Sequence, residues 1–315
     1  MKRILFFTIA IAFGTFMTAQ NTAVLKLNPE KNKVYHLRSV SDQTVSQTVN
    51  GNQQTVDSHV EYAISLKMID VTPDFMITEI RFDTVSTSTN TMGKTVSFSS
   101  VSEGDIRSSE VADIMSYIMN KLSKNSLYVK VDFTGKPLEI VNAQILSGLV
   151  AKDTSAITLT GPTAAAIKTQ IAGTVSSDNL KNMIGTFTWC LPGRQVAAGE
   201  GWTVTQEMNA SGMLLDIITN YRLDAIDGNN AMITAESQVK ASVHAAPIQS
   251  GGATVTYDNL KGMGKSDMII DIRTGLTVEN NAQTRISGNL GVSGPGFSMD
   301  IPLDINGKTK VTTLQ

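Results

Sequence analysis

The chain has 315 residues, and its 26 Lys plus Arg stand against 28 Asp plus Glu, a formal net charge of −2. That balance excludes a nucleic-acid-binding protein of the basic-stripe kind, which needs a clear Lys/Arg excess. With 41% hydrophobic and 17% charged residues it is not a disordered charged tail either.

Residues 1–19 read as a cleaved signal peptide. Lys2 and Arg3 form a cationic start, residues 4–13 (ILFFTIAIAF) an apolar run, and Ala19 a small residue at the cut. The run is shorter than the roughly 20 apolar residues a membrane span needs. No Cys lies near the cut, so a lipoprotein anchor is not expected. The expectation is a periplasmic or secreted protein with no membrane span after cleavage. Loss of Lys2 and Arg3 leaves 24 basic against 28 acidic residues, a mildly acidic chain. Its one cysteine, Cys190, can form no internal disulfide, and between Trp189 and Leu191 it reads as a small buried apolar residue.

Residues 20–160 read as a first β-meander. Val45, Val49, Val56, Val60, Tyr62, Ile64, Leu66 and Met68 mark period-two stretches with polar residues between them, the pattern of an antiparallel sheet with one wet face. Asn50-Gly51-Asn52 and Thr72-Pro73-Asp74 are predicted turns. A Thr/Ser-rich ribbon over residues 84–100, around Met92-Gly93, follows and is expected to extend from the sheet. The period then changes. Val111, Ile114, Met115, Ile118 and Leu122 share one helix face, predicting a helix over 108–124 with Ser108 as N-cap. A strand hairpin turning at Thr134-Gly135 and a short helix over 142–150 follow.

Residues 161–190 read as a helical connector, with helices over 163–173 and 178–184, Asp178 as an N-cap and Gly185 as a stop. Residues 191–315 return to strands, with turns at 227–230, 250–252, 274–275 and 306–307. The two β-rich parts resemble each other. Ile69-Asp70 then Met76-Ile77-Thr78 is answered by Ile226-Asp227 then Met232-Ile233-Thr234, and each part later has a Thr-Gly turn, at 134–135 and at 274–275. A repeat of this length is too long for a solenoid unit and suggests two similar meanders.

The leader, the strand opening at Tyr35, and the stretch LPGRQVAAGEGW at 191–202 together resemble an uncharacterised family of exported bacterial cell-envelope proteins, a domain of unknown function. The resemblance implies an envelope setting and brings no catalytic or ligand residues with it.

The search for chemistry returns mostly structural readings. His36, His59 and His244 are the only histidines, and none has a partner at metal-ligand spacing. They read as polar residues on wet strand faces or near a turn; a catalytic role would demand a cleft with a carboxylate and a hydroxyl in reach. Ser237 and Lys240 match Ser-x-x-Lys but sit in a strand, where positions three apart face opposite sides. Asp227-Gly228-Asn229-Asn230 lacks a bidentate Glu and reads as a turn, not a calcium loop. Gly288, Gly291, Gly294 and Gly296 have no helix after them to cradle phosphate, so turns or bulges are expected. Pro302 limits its strand to an edge or a bulge. Of the methionines, Met115 and Met119 lie on or beside the helix stripe, as core filling or as an adaptable apolar lining.

The fold expected is therefore α+β: long antiparallel meanders in two similar halves forming a curved sheet, with central helices packed on one face. That shape is similar to the lipoprotein-carrier half-barrels of the bacterial envelope. The function expected is a non-catalytic exported binding protein for an apolar or amphipathic small molecule, without cofactor, metal or nucleic acid. The alternatives are an interaction module docking another envelope protein through the 84–100 ribbon, and a hydrolase with an unrecognised site.

Overall fold

The computed structural model describes residues 21–49, 51–210, 212–250 and 252–314. The predicted leader lies outside them. Five strands open the chain: β1 (Thr22–Leu25), β2 (Val34–Val49), β3 (Asn52–Val71), β4 (Met76–Thr91) and β5 (Lys94–Ser99). Helix α1 (Val111–Ser123) precedes the hairpin β6 (Leu127–Val131) and β7 (Pro137–Ile140). Three helices follow, α2 (Ala143–Thr154), α3 (Gly161–Thr174) and α4 (Ser177–Thr188). The remainder is β8 (Arg194–Ala197), β9 (Gly201–Ala210), β10 (Met213–Asp227), β11 (Asn230–Ala241), β12 (Ile248–Ser250), β13 (Ala253–Thr256), β14 (Lys261–Asp271), β15 (Thr277–Gly294) and β16 (Phe297–Leu314).

All strand pairs are antiparallel, and the architecture is β-rich α+β. One 14-stranded sheet runs β7-β6-β4-β3-β2-β16-β15-β14-β11-β10-β9, with β5 beside β4 and β12–β13 beside β15, while β1 and β8 form a separate pair. The predicted turns account for most hairpins. Gly51 (φ 78°) closes β2 onto β3, with Val49 opposite Asn52. Met92 and Gly93 both have positive φ (52° and 79°), the backbone of a two-residue turn between β4 and β5. Asp227 pairs with Asn230 across Gly228, so that stretch is the hairpin turn expected.

Several local expectations are corrected. Ser108 does not cap α1: its hydroxyl donates to Asp113 and accepts the Glu110 N–H, and the helix starts at Val111 after extended Glu110. The helix predicted over 108–124 is thus three residues shorter at its start. Ser176, not Asp178, caps α4, accepting the Asn179 N–H at 3.3 Å. Gly185 does not stop α4, which continues to Thr188; it is buried inside the helix with Pro137 and Trp189 at ordinary contact distance. Asn306-Gly307 is not a turn; both lie inside β16, bonded to β15 and β2. Gly288, Gly291 and Gly294 likewise lie within β15, and only Gly296 (φ 83°) turns. Gly291 leaves room for β13, since a Cβ there would stand 2.6 Å from Thr256 Oγ1. Pro302 does sit where β16 becomes an edge, because pairing with β2 ends at Leu303.

The apolar stripe of α1 does what its spacing dictates. Ile114, Ile118 and Leu122 are fully buried, and they share one core with Leu66, Ile80 and Leu127 of the sheet. That core also holds Leu223, Ile233 and Ile270 from the other end of the strand order. A single core touched by both ends means that the sheet is curled. Its edges are bridged by the end of α4 and the two residues after it. At one edge the Thr188 hydroxyl donates to the Gly135 carbonyl at 2.6 Å, beside β7. At the other, the Trp202 indole N–H of β9 donates to the Cys190 carbonyl at 2.9 Å, and Gln206 donates to that of Trp189.

The end of the curl is laced by the chain's opening segment. Leu27 N–H donates to Phe133 O at 2.9 Å and Asn28 N–H to Thr274 O at 2.7 Å, tying the two Thr-Gly turns together. Both turns need glycine for the same reason. Gly135 and Gly275 have positive φ, and a Cβ would overlap the carbonyl of Thr188 at the first and of Lys26 at the second.

Candidate binding trough

A curled sheet has an inner and an outer face, and strand alternation assigns each residue to one of them. Beyond the helices, the charges fall on the outer face. Arg38 pairs with Glu61 at 2.7 Å, Lys265 with Glu236 at 3.1 Å, Lys310 with Glu279 at 3.3 Å and Arg285 with Asp304 at 2.8 Å. The residues between them point inward and are uncharged. One row, read off the pairing, runs Tyr221, Ala235, Ser266, Ala282, Thr309, Ser41. The next runs Thr219, Ser237, Gly264, Thr284, Gly307, Gln43. Ser41 and Thr309 share a hydrogen bond of 3.0 Å, and Thr219 and Ser237 one of 2.8 Å.

This hydroxyl band lies between two apolar regions. On one side is the helix-covered core. On the other is a second cluster of Leu215, Val239, Ile286, Leu303 and Ile305, covered by Tyr257 and Leu260 from the connection after β13. Most band side chains are half-buried, as the concave side of a curved sheet requires. At the rim, the rings of Trp202 and Tyr221 stack at 5.5 Å and 9°. Burial, with the neighbouring Cys190 thiol, pushes the Tyr221 hydroxyl up from its ordinary ionisation range, and burial alone does so for Tyr62. One row deeper, the side-chain oxygen of Asn280 is buried, with no hydrogen-bond donor among the described residues. The result is an uncharged trough with aromatic, hydroxyl and apolar lining, the mixture small-molecule sites use.

The histidines stand elsewhere. His36 and His59 lie on the outer face and His244 after β11, each with its Nδ1 on a carboxylate: Asp83 at 3.6 Å, Asp42 at 2.7 Å and Glu207 at 3.2 Å. Hydroxyls are near two of them. Ser65 contacts His36 Nδ1 at 3.1 Å but also donates to Asp83, and Ser242 donates to Glu207. A nucleophile relay needs hydroxyl and carboxylate on opposite ring nitrogens. At His36 both crowd one nitrogen, at His244 the hydroxyl meets the backbone N–H and not the ring, and in each case the hydroxyl proton goes to the carboxylate. His59 opens onto two shallow grooves of about 330 and 350 Å³, the first lined mainly by β2 and β3 with Ser88, Asn90 and Thr95, the second by Ser86, Ser88, Ser97 and Ser99 with the start of α1.

The remaining sequence candidates are placed as follows. Cys190 is buried, which pushes its thiol to about 12. Met115 and Met119 are buried in the core and line no opening. Ser237 points inward to Thr219 while Lys240 faces out toward Asp216, so the Ser-x-x-Lys pair is split as strand geometry requires. Among the described residues, no group of three or more His, Cys, Asp or Glu is placed to hold a metal ion, and no helix is long and apolar enough to cross a membrane. The trough itself was missed from sequence, although its signal is present: charged and uncharged polar residues alternate along β2, β3, β15 and β16.

A curled antiparallel sheet with helices inside it and an uncharged inner face defines the class of architecture. The chain belongs to a family of unknown function (DUF6263), whose model matches residues 73–277. The stretch at 191–202, part of that match, contains β8 and the crossing that seats Gly193 on Leu25 and Gly199 on Leu223. No curated protein matches the chain. Among solved structures, the COG4313 outer membrane channel from Pseudomonas putida F1 is 6% identical, covers 91% of this chain and 97% of its own, and has a TM-score of 0.24. Pseudomonas aeruginosa OccK7 (OpdD) is 9% identical over 90% and 100%, with a TM-score of 0.22. A DUF1329 family protein from Desulfovibrio piger ATCC 29098 is 10% identical over 86% and 83%, with a TM-score of 0.13.

Proposed function

We propose that this is an exported, non-catalytic binding protein that holds an amphipathic small molecule in the trough. The observation that carries the reading is the segregation of charge. Ion pairs line the outer face, while the inner face offers hydroxyls flanked by two apolar clusters. A protein that needed the inner face only for its own core would fill it with aliphatic side chains, as it does under α1. The histidine geometry described above supports a non-catalytic reading. The leader supports export. The order of strands supports two related meanders, because β2-β3-β4-β6-β7 and β9-β10-β11-β14-β15 pair in the same succession, each with its Thr-Gly turn before the last strand.

The test is native mass spectrometry of the full chain purified from its producing cells, together with a Thr309→Arg variant that places a cation in the middle of the band. Wild type retains a small molecule that denaturation releases, and the variant folds but emerges empty. An empty wild type that also fails to bind N-phenyl-1-naphthylamine, a neutral apolar fluorophore, overturns the reading.

A second reading is favoured by the two grooves at His59, each lined in part by the 84–100 ribbon. In it, the β4–β5 hairpin docks another envelope protein. Replacing residues 86–99 with a minimal hairpin and finding every cross-linked partner retained would reject it.

A further inference from the structure

We propose that the trough selects electrically neutral amphiphiles whose polar part donates hydrogen bonds, and that Asn280 is the acceptor at its inner end. This deepens the binding reading above and rests on it. Two independent observations carry it.

The first is charge. Taking an ionised group out of water into a half-buried surface is costly unless an opposite charge meets it. The inner rows from Ser41 to Tyr221 contain no ionisable side chain apart from that tyrosine, whose hydroxyl burial keeps neutral. The lysines, arginines and carboxylates of the same strands face outward, and several are paired with one another, Arg38 with Glu61, Lys265 with Glu236, Lys310 with Glu279 and Arg285 with Asp304. An anionic or cationic head in the band would therefore lose its hydration and gain no counter-charge. A head of hydroxyls would exchange water for Ser41, Thr309, Ser237 and Thr284, side chains able both to donate and to accept.

The second is the orphan oxygen. Asn280 Oδ1 is buried and has no donor among the described residues. It faces the same side as Ala282, one row from the hydroxyl band, where β15 runs between Met268 of β14 and Val311 of β16. Its two nearest cross-strand neighbours are thus apolar and can supply no donor. A buried carbonyl left unpaired lowers stability, and a protein whose concern there was packing would have a leucine. A ligand hydroxyl or amide N–H reaching past the band would satisfy it. A neutral head that only accepts would not.

The experiment titrates the full chain with four ten-carbon amphiphiles below their critical micelle concentrations, followed by tryptophan fluorescence and calorimetry. They are decyl glucoside (neutral, donating), decyldimethylphosphine oxide (neutral, accepting only), decyl sulfate and decyltrimethylammonium. Decyl glucoside is expected to bind at least tenfold more tightly than the other three. Asn280→Leu is expected to weaken decyl glucoside about tenfold, the loss of one hydrogen bond, and to raise the urea midpoint by removing the orphan. A merely structural asparagine would lower that midpoint and leave affinity unchanged. If the charged amphiphiles bind as tightly as the glucoside, the selectivity inference falls while the trough stands as a site. If the phosphine oxide binds as tightly, or Asn280→Leu leaves the glucoside unaffected, the assignment to Asn280 falls. If none of the four binds, both this inference and the binding reading fall.

Discussion

Replacing Gly275 with alanine should unlace the end of the curled sheet. The position has φ 71°, which costs an L-residue about 1 kcal/mol. The new Cβ would overlap the carbonyl of Lys26, so residues 26–28 must move. Moving them breaks the 2.7 Å bond from Asn28 N–H to Thr274, worth about 1 kcal/mol. It also lifts Leu27, fully buried, from the core, at about 2 kcal/mol. The expected loss is about 4 kcal/mol in urea-induced unfolding, seen as a lower midpoint with little change in slope. Gly51→Ala is the internal control. Its φ is similar at 78°, but nothing lies within 4 Å of its Cβ, so about 1 kcal/mol is expected. In a Gly275→Ala, Leu27→Ala double variant the two losses should fall short of additive by about 2 kcal/mol, because each releases the same segment. A Gly275→Ala loss no larger than the Gly51→Ala loss, or full additivity, would refute the lacing.

Three further outcomes follow from the same geometry. Because burial pushes the Cys190 thiol to about 12, an aromatic disulfide reagent at pH 8 should label it only when urea opens the fold; prompt labelling of native protein would contradict its placement. Trp202→Phe keeps a ring against Tyr221 but leaves the Cys190 carbonyl without its donor, so about 1 kcal/mol should be lost, against about 3 kcal/mol or more for Trp202→Ala, which removes the stack as well. Arg38 holds the Glu61 carboxyl below its ordinary range, and Lys67 with Ser126 does the same for Glu79. Groups depressed on folding stabilise above their unfolded value, about 4.3, and that stabilisation is lost as pH falls through the folded values. The urea midpoint should thus hold from pH 8 to 6 and fall below about 5. A Glu61→Gln, Glu79→Gln pair should flatten the acid limb; an unchanged limb would exclude these two as its source.

How much of this was legible in the sequence depended on the range of the interaction. The α1 stripe was readable because Ile114, Ile118 and Leu122 recur at helical spacing, and the core they enter is the one that spacing requires. The turns at Gly51 and Asp227-Gly228 were readable because φ above zero is a local demand met by few residues. Asn306-Gly307 looked identical in composition, yet a strand on each side held it extended, a tertiary override of a local preference. Gly185 misled because it keeps helical backbone inside α4, where glycine alone does not end a helix. Ser108 misled because its hydroxyl had two closer partners than a helix N–H. The trough escaped notice for a different cause. Alternation showed that each strand had two unlike faces, but both were polar. Only the registers across β2, β16 and β15 reveal that the uncharged ones coincide.

Closure by α4 has a consequence for the size of what the protein can hold. In a barrel sealed by strand pairing, strand number and stagger fix the girth, and any change must satisfy the register all the way round. Here the final gap is bridged by the few residues that end α4, fastened through Thr188 at one lip and through Cys190, just past the helix, at the other. Such a clasp has no register to keep. Gaining or losing a hairpin elsewhere would widen or narrow the bore, and the clasp need only tilt to follow. The interior diameter is therefore a dimension this architecture can tune without rebuilding its seam.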